Sequence, residues 1–295
     1  MKNVTLFTCP KPFTDPHINL IQRNAIRSWV QFDEGVEIIL VGDEVGAADV
    51  AQEFGITHLP EVERNEWGTP RVDAIFSLAR EASTNEIMAY LNADILLPPD
   101  FTSVVRSVDE ALDEYLLIGR RWDLIVEEEI KFTDQWMDLI MQQLDTRGEL
   151  HGPQAMDYFV FPRGLYAEIP PFAIGRAGWD NWMVYHAQQQ GWAVLDATPS
   201  LTVIHQEHDY AHLPGGKPHY KLDESRHNVQ LGGGFDKVYD LLDVDQQFRD
   251  GRIRSSPLTF PRFFRKLERW VMPPEKRGWR WRLARQFRRL RRKLS

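Results

Sequence analysis

The sequence contains little cysteine and no long apolar run. Cys9 is the only cysteine in its 295 residues, which excludes a disulfide within the chain and a thiolate-based metal cluster. No segment reaches the roughly 18 consecutive apolar residues that a membrane-spanning helix needs. The first residues also lack the charged region and the small-residue cleavage site of a signal peptide. We therefore expect a cytoplasmic protein.

Basic side chains are scarce before the C-terminal segment. The net charge of the whole chain is −8, but the residues from Arg262 onward contain 14 Lys and Arg and only two acidic side chains. The rest of the chain therefore carries a charge of about −20. A nucleic-acid surface needs a basic face that neutralises phosphates, so we expect none on the main body of the protein.

Short apolar segments alternate with helix signals along the first part of the chain. The apolar segments are Val4–Thr8, Val36–Val41 and Ile87–Leu91, and Asp15-Pro16 supplies a helix start after the first of them. This alternation predicts an α/β fold with a Rossmann-type, mainly parallel sheet flanked by helices. In such a sheet, ligands bind at the carboxyl ends of the strands.

An acidic turn, Asn92-Ala93-Asp94, follows the third apolar segment. It resembles the Asp-x-Asp motif of glycosyltransferases with the GT-A fold, in which such a turn holds a divalent cation against the diphosphate of a nucleotide sugar. The resemblance implies Mn²⁺ or Mg²⁺ as cofactor and Asp94 as a direct ligand, because hard cations prefer oxygen donors. Asn92 departs from the commonest form, so we expect it to contact the ribose or a metal-bound water. Taken alone, the tripeptide is also typical of a turn-capping Asp.

The resemblance extends to the expected nucleotide site. Thr8 ends the first apolar segment and Asp43 follows the second, which are the places where the family holds the nucleotide. Arg71 lies where the family has a basic residue that clamps phosphate or orients the acidic turn. A turn residue is the alternative role for Asp43, and a helix-surface arginine is the alternative for Arg71. A UDP-sugar is the favoured donor, with GDP- and dTDP-sugars as alternatives.

Residues 172–185 have the sequence FAIGRAGWDNWMVY. This stretch resembles the family's glycine loop followed by an x-Glu-Asp motif, in which the last Asp is the general base of inverting enzymes. The resemblance implies that Asp180 removes the proton of an acceptor hydroxyl. A helix N-cap is the alternative role for Asp180, and retention of configuration stays open. We expect Trp179, Trp182 and the more distant Asp157 to line the sugar or acceptor pocket.

A histidine ends another apolar segment, at residues 201–205. Enzymes of this fold often use a strand-end histidine as a further metal ligand, so the resemblance implies that His205 completes the cation's shell. His208 and His212 are alternatives for this ligand, and a purely structural histidine is the other possibility for His205.

These features predict an inverting, metal-dependent glycosyltransferase that moves a sugar from a nucleotide diphosphate to a hydroxyl of a glycan or glycolipid, as in polysaccharide biosynthesis. Two other functions stay open. A sugar-phosphate nucleotidyltransferase uses a related sheet, but CPKP at residues 9–12 stands where that family has a glycine-rich basic loop. A degenerate, membrane-bound scaffold would account for Asn92 and Trp179.

The chain divides into a predicted catalytic domain, residues 1–255, and a basic tail, residues 256–295. The tail interleaves aromatic and leucine side chains with Arg and Lys. This pattern predicts a helix that lies on an anionic membrane surface, at the inner face of the membrane. RNA binding and a solvated tail are the alternatives.

Overall fold

A computed structural model of the chain describes residues 3–33, 35–208 and 222–293. His212, one of the alternative metal ligands, lies outside the described residues. The N-terminal part alternates strands and helices in the order β1 (Val4–Thr8), α1 (Pro16–Trp29), β2 (Val36–Val41), α2 (Ala47–Phe54), β3 (Thr57–Leu59), α3 (Val72–Ala82) and β4 (Ile87–Leu91).

The remainder of the body contains nine further strands and four further α-helices among the described residues. In chain order they are β5 (Ile95–Leu96), α4 (Phe101–Asp109), β6 (Tyr115–Ile118), β7 (Arg121–Leu124), α5 (Trp136–Arg147), β8 (Glu149–Leu150), β9 (Tyr158–Pro162), α6 (Trp179–Gln190), β10 (Ala193–Asp196), β11 (Val203–Gln206), α7 (Asp223–Leu231), β12 (Gln246–Arg249) and β13 (Arg252–Ser255). The tail adds α8 (Phe260–Val271) and α9 (Gly278–Lys293).

A nine-stranded sheet with the order β13-β12-β10-β6-β9-β4-β1-β2-β3 forms the centre of the body. Its strands pair in parallel except where β9 lies between β4 and β6 and where β13 pairs with β12. A second sheet of four short strands has the order β5-β11-β7-β8. This topology confirms the predicted α/β fold with its mainly parallel central sheet.

Both faces of the central sheet are covered, because successive side chains of its inner strands are apolar. Leu6 joins the core on the face where α1 packs through Ile26, whereas Phe7 joins the core on the face where α3 packs through Phe76. The start of α1 is fixed by Asp15, whose carboxylate accepts hydrogen bonds from the first backbone amides of the helix. A cap of this kind stabilises a helix by about 1 kcal/mol.

The tail forms two helices, and α8 turns charged side chains toward the body. Arg265 Nη2 lies 2.6 Å from Asp243 Oδ2. Glu268 is 0% exposed and accepts a hydrogen bond of 2.7 Å from Arg288 of α9. Buried charges persist only where they are paired, so these ion pairs fasten the tail to the body and the two helices to each other.

The opposite side of α8 is apolar and faces outward. Phe260, Phe263 and Trp270 are all exposed, and Trp270 is exposed to 79%. The helix therefore has the reverse of the usual arrangement, with ion pairs inside and aromatic rings outside. Within the described part of the chain, none of the helices is long and apolar enough to cross a membrane.

Candidate functional site

Two short strands bring the acidic turn and the strand-end histidine together. The backbone of β5 begins directly after Asp94 and pairs antiparallel with β11, which places His205 opposite Ile95. The side chain of Gln206 reinforces this approach, because its Nε2 donates to the backbone oxygen of Asp94 at 3.1 Å. The sequence-predicted pair, Asp94 and His205, is thus brought together at the edge of the four-stranded sheet.

Asp94, His205 and His208 form a compact cluster of metal-ligand atoms. One such atom from each side chain lies within 4.8 Å of the other two. Asp94 Oδ1 is 3.9 Å from His205 Nε2, and Asp94 Oδ2 is 3.2 Å from His208 Nε2. We call these three side chains the Asp-His-His cluster.

The Asp-His-His cluster fits a divalent cation. Asp94 is only 4% exposed, and its Oδ1 has no hydrogen-bond partner among the described residues. Ligands held at about 2.1 Å from one ion stand about 3 to 4 Å apart, which matches the distance between Oδ1 and His205 Nε2. One carboxylate and two imidazoles suit Mn²⁺ better than Mg²⁺, which prefers an all-oxygen shell.

Lys11 also reaches this cluster, which the sequence did not predict. Its Nζ lies 2.9 Å from Asp94 Oδ2 and 2.7 Å from His208 Nε2. Burial alone would raise the pKa of the Asp94 carboxyl, but the positive charge of Lys11 and the contacts with His205 and His208 lower this pKa well below its ordinary value. The carboxylate is therefore ionised and available as a ligand across the range in which enzymes work.

Asp123 contacts His205 at Nδ1, the ring nitrogen other than the one that lies near Asp94. Its Oδ1 lies 3.1 Å from His205 Nδ1 and its Oδ2 bonds to His151 Nδ1, while Arg121 Nε lies 2.9 Å from Oδ1. Burial raises the pKa of Asp123, but the bonds to both histidines and the charge of Arg121 outweigh this and lower it. A carboxylate on Nδ1 directs Nε2 toward the cation, as in many metal sites, and sequence periodicity gave no signal for Asp123.

Asn92 and Asp157 belong to a buried polar network. Asn92 Nδ2 donates to Asp157 Oδ1, and Asn92 Oδ1 accepts a bond of 3.3 Å from Tyr90. The second oxygen of Asp157 forms a 2.7 Å ion pair with Arg121. These contacts tie the acidic turn to the Arg121–Asp123 pair, so the two predicted site residues support the cluster from inside the protein.

Asp180 lies in the first turn of α6, after Gly178, which is the N-cap residue with φ 113°. Its Oδ1 accepts a hydrogen bond of 3.1 Å from the backbone amide of Gly178. Burial raises the pKa of Asp180 to about 6, and the nearby negative charge of Asp157 acts in the same direction. The charge of Asp157 thus acts on Asp180, while the described hydrogen bonds of the Asp180 carboxylate stay within the start of α6.

Both predicted acceptor tryptophans are buried. Trp179 packs edge-on against Tyr90, with ring centroids 5.2 Å apart, and also contacts Phe159. Trp182 stacks on His186 with centroids 4.5 Å apart. Their rings contribute to the core beneath α6, which follows from the apolar character of this helix face.

Among the described residues, no hydrogen bond or ion pair joins the predicted nucleotide residues Thr8, Asp43 and Arg71 to one another. The Oγ1 of Thr8 is buried and has no hydrogen-bond partner among the described residues. Asp43 is exposed and bonds to Arg64, which holds the pKa of its carboxyl below the ordinary value. Arg71 pairs with Asp73 and Glu63 rather than with the acidic turn, as far as the described residues show.

The glycine loop before α6 is held by α7, an element without a sequence prediction. Asn228 is fully buried, and its amide donates to the backbone oxygen of Ala173 at 3.0 Å and accepts from the backbone amide of the same residue at 2.9 Å. Glu224 accepts hydrogen bonds of 2.6 Å from Thr69 and 2.7 Å from Arg176. The loop that delivers Asp180 is thus fixed by long-range polar contacts.

Comparison with known proteins gives a structural likeness only. No protein-family model and no curated protein matches the sequence. Among solved structures, the chain is similar to glucosyl-3-phosphoglycerate synthase from Mycobacterium tuberculosis in complex with phosphoglyceric acid, with 13% identity, a TM-score of 0.49 and 88% of each chain covered. A complex of the same enzyme with Mn²⁺, uridine diphosphate and glucosyl-3-phosphoglycerate gives 14% identity, a TM-score of 0.47 and 88% of each chain. A likeness at this level assigns no activity to the chain.

Proposed function

We propose that the protein is a glycosyltransferase that moves a sugar from a nucleotide-diphosphate donor to a hydroxyl of a glycan or glycolipid acceptor, with inversion at the anomeric carbon. The observation that carries this proposal is the Asp-His-His cluster at the end of the acidic turn. Asp94, His205 and His208 would hold a divalent cation there, with Asp123 orienting His205. A cation in this place supplies charge neutralisation for a departing diphosphate.

The protein's own side chains account for the remaining steps. Thr8 and Asp43 would hold the nucleotide. The exposed carboxylate of Asp43 can bond to its base or ribose, whereas the Thr8 hydroxyl, which is buried without a partner among the described residues, would first have to become accessible. Arg71 would contact phosphate after exchanging its present partners Asp73 and Glu63. UDP is the nucleotide to test first, because a carboxylate at position 43 can accept a hydrogen bond from a uracil N–H.

Asp180 would act as the general base. Its carboxylate would accept the proton of the acceptor hydroxyl as that oxygen bonds to the anomeric carbon. Because its pKa is raised to about 6, the group is ionised at pH 7 and still basic enough to assist the transfer. Turnover should therefore rise as the pH passes through about 6 and level off above it.

A donor panel tests this function. Release of the nucleoside diphosphate from UDP-, GDP- and dTDP-sugars would be followed with and without Mn²⁺ for the wild-type protein and the variants Asp94→Ala, Asp180→Asn and Asp49→Ala. We expect Mn²⁺-dependent turnover of one donor, loss of both binding and turnover in Asp94→Ala, and retained binding without turnover in Asp180→Asn. Asp49→Ala, which removes an exposed carboxylate from α2, should behave as wild type.

The same panel separates the alternatives. Turnover that survives Asp94→Ala would contradict the assigned metal ligand. Formation of a nucleotide sugar from a nucleoside triphosphate and a sugar phosphate would instead identify a nucleotidyltransferase. If no donor binds, with or without the metal, the protein is better described as a scaffold without catalytic activity.

We also propose that the outward face of α8 attaches the enzyme to an anionic membrane surface. Phe260, Phe263 and Trp270 form an exposed apolar stripe, and Lys266 is exposed on the same helix. Such side chains enter the headgroup region, and each basic residue near an anionic surface adds about 1 kcal/mol of attraction. The inner face of the membrane, rich in anionic lipid, is the expected location.

Co-sedimentation with vesicles tests this attachment. Vesicles that contain phosphatidylserine should bind the wild-type protein, whereas phosphatidylcholine vesicles should bind it weakly, and Trp270→Ala should reduce binding. Leu139→Ala, which removes an exposed apolar side chain from α5, is the matched control. Equal binding to both vesicles, no effect of Trp270→Ala, or preferential capture of an RNA oligonucleotide would contradict the membrane assignment.

A further inference from the structure

The loop after β1 holds the backbone of Lys11 in a fixed position. Proline residues stand on both sides of Lys11, and each restricts the conformation of the residue before it. The amide of Gln22, which is 1% exposed, accepts a hydrogen bond of 2.7 Å from the backbone N–H of Lys11 and donates one of 2.9 Å to its backbone oxygen. The origin of the lysine side chain is therefore preorganised by a buried polar contact.

From this position the Lys11 side chain contacts two atoms that could otherwise bind a cation. Its ammonium contacts Asp94 Oδ2 at 2.9 Å and His208 Nε2 at 2.7 Å. An ammonium group is only a donor, so His208 Nε2 offers its lone pair to Lys11. The same lone pair cannot bind a metal ion at the same time.

The other side of the cluster is arranged differently. Asp94 Oδ1 and His205 Nε2 face each other at 3.9 Å, too far apart for a hydrogen bond, and Lys11 contacts neither atom among the described residues. A divalent cation can approach these two atoms first. Recruitment of His208 then requires Lys11 to leave.

We infer that Lys11 is a built-in competitor of the divalent cation, and that the diphosphate of the donor draws its ammonium away from Asp94 and His208. Phosphate oxygens accept strong, charge-assisted hydrogen bonds from lysine, so the displaced side chain gains a new partner. Metal and nucleotide then bind cooperatively, because each makes the release of Lys11 easier for the other. The nucleotide half of this inference rests on the proposed function, whereas the competition for metal does not.

Titration with Mn²⁺ alone tests the competition. Free Mn²⁺ would be measured by electron paramagnetic resonance for the full-length wild-type protein, Lys11→Met and the control Lys131→Met, which removes an exposed lysine. Lys11→Met should bind Mn²⁺ at least about tenfold more tightly, as expected when one charge-assisted bond no longer has to be broken. Lys131→Met should match the wild type. Equal or weaker binding by Lys11→Met, or no measurable binding by either protein, would overturn the inference.

A second titration, at saturating UDP, tests the cooperativity. UDP should raise the Mn²⁺ affinity of the wild type by a larger factor than that of Lys11→Met, because only the wild type has a lysine to release. If none of UDP, GDP and dTDP binds either protein, the proposed function fails while the ratio from Mn²⁺ alone still decides the competition. Circular dichroism would check that Lys11→Met is folded, and Lys11→Gln provides a second uncharged variant.

Discussion

The raised pKa of Asp180 makes a stability prediction that is independent of any substrate. In the folded protein this pKa is about 6 against an ordinary value of 3.8. The fold therefore binds the proton more tightly than the unfolded chain does, so the ionised carboxylate costs stability above pH 4, and the cost is complete above about pH 6. The gap between the two values corresponds to about 3 kcal/mol, which we reduce to about 1 to 3 kcal/mol because Asp180 is only partly buried by surface area.

Asp180→Asn removes this cost while keeping an oxygen that can accept from Gly178. Urea unfolding should show the variant to be more stable than the wild type by about 1 to 3 kcal/mol at pH 7.5, and nearly equal at pH 4, where the wild-type carboxyl is protonated. Asp138→Asn, at an exposed position in α5, should show no such difference. If the variant is equally or less stable at pH 7.5, the argument that burial raises the pKa of Asp180 at a cost in stability is refuted.

Three further substitutions test the supports of the site and the tail. Asn228→Ala should destabilise the fold by about 2 to 4 kcal/mol in urea unfolding, because it leaves buried backbone groups of the glycine loop without partners. Asp123→Asn should lower Mn²⁺ affinity by about 10- to 100-fold in the same titration as above, because His205 loses the carboxylate that orients it. Glu268→Gln should cost about 3 kcal/mol in unfolding free energy, because the buried Arg265 and the half-buried Arg288 and Arg291 lose a counter-charge, whereas Glu275→Gln at an exposed position should be neutral.

The parts of the fold that the sequence could predict are those with a local signal. The strand Ile87–Leu91 is apolar on both faces, which is typical of an inner strand of a parallel sheet, and the structure has it there. Asp15 and Pro16 mark the start of α1 for reasons of hydrogen bonding and φ alone. The proximity of Asp94 and His205 was predicted from family resemblance, while its physical cause, pairing with the two-residue strand β5, leaves no periodic pattern to detect.

The parts that the sequence could not predict depend on partners far apart in the chain. Lys11 meets Asp94 across 83 positions, and Asp123 meets His205 across 82. Neither pair has a spacing that a helix or strand would impose, so the sequence gives no signal for either contact. Trp179 shows a different difficulty. An aromatic residue next to a candidate base can line a pocket or fill the core, and the sequence does not distinguish these two roles.

The tail uses its charged side chains to bind the body and exposes its aromatic side chains. Its interleaved apolar and basic side chains led to the expectation of a helix that lies on an anionic membrane surface, and in the structure Arg265 and Glu268 face the body and form buried ion pairs. The helical spacing of Phe260, Phe263 and Trp270 already separates an aromatic side from this charged side. The sequence alone does not indicate which side would face inward, because the acidic partner Asp243 lies in another segment.

The central claim is that Asp94, His205 and His208 converge on one divalent cation that binds with the donor nucleotide. The most direct measurement is an anomalous difference map, at the manganese absorption edge, from crystals grown with Mn²⁺ and UDP. We predict one strong peak within coordinating distance of Asp94 and both histidines, with the diphosphate on its open side and Lys11 turned toward that diphosphate. A bound nucleotide with no peak at these side chains, or a peak elsewhere on the protein, would contradict the claim.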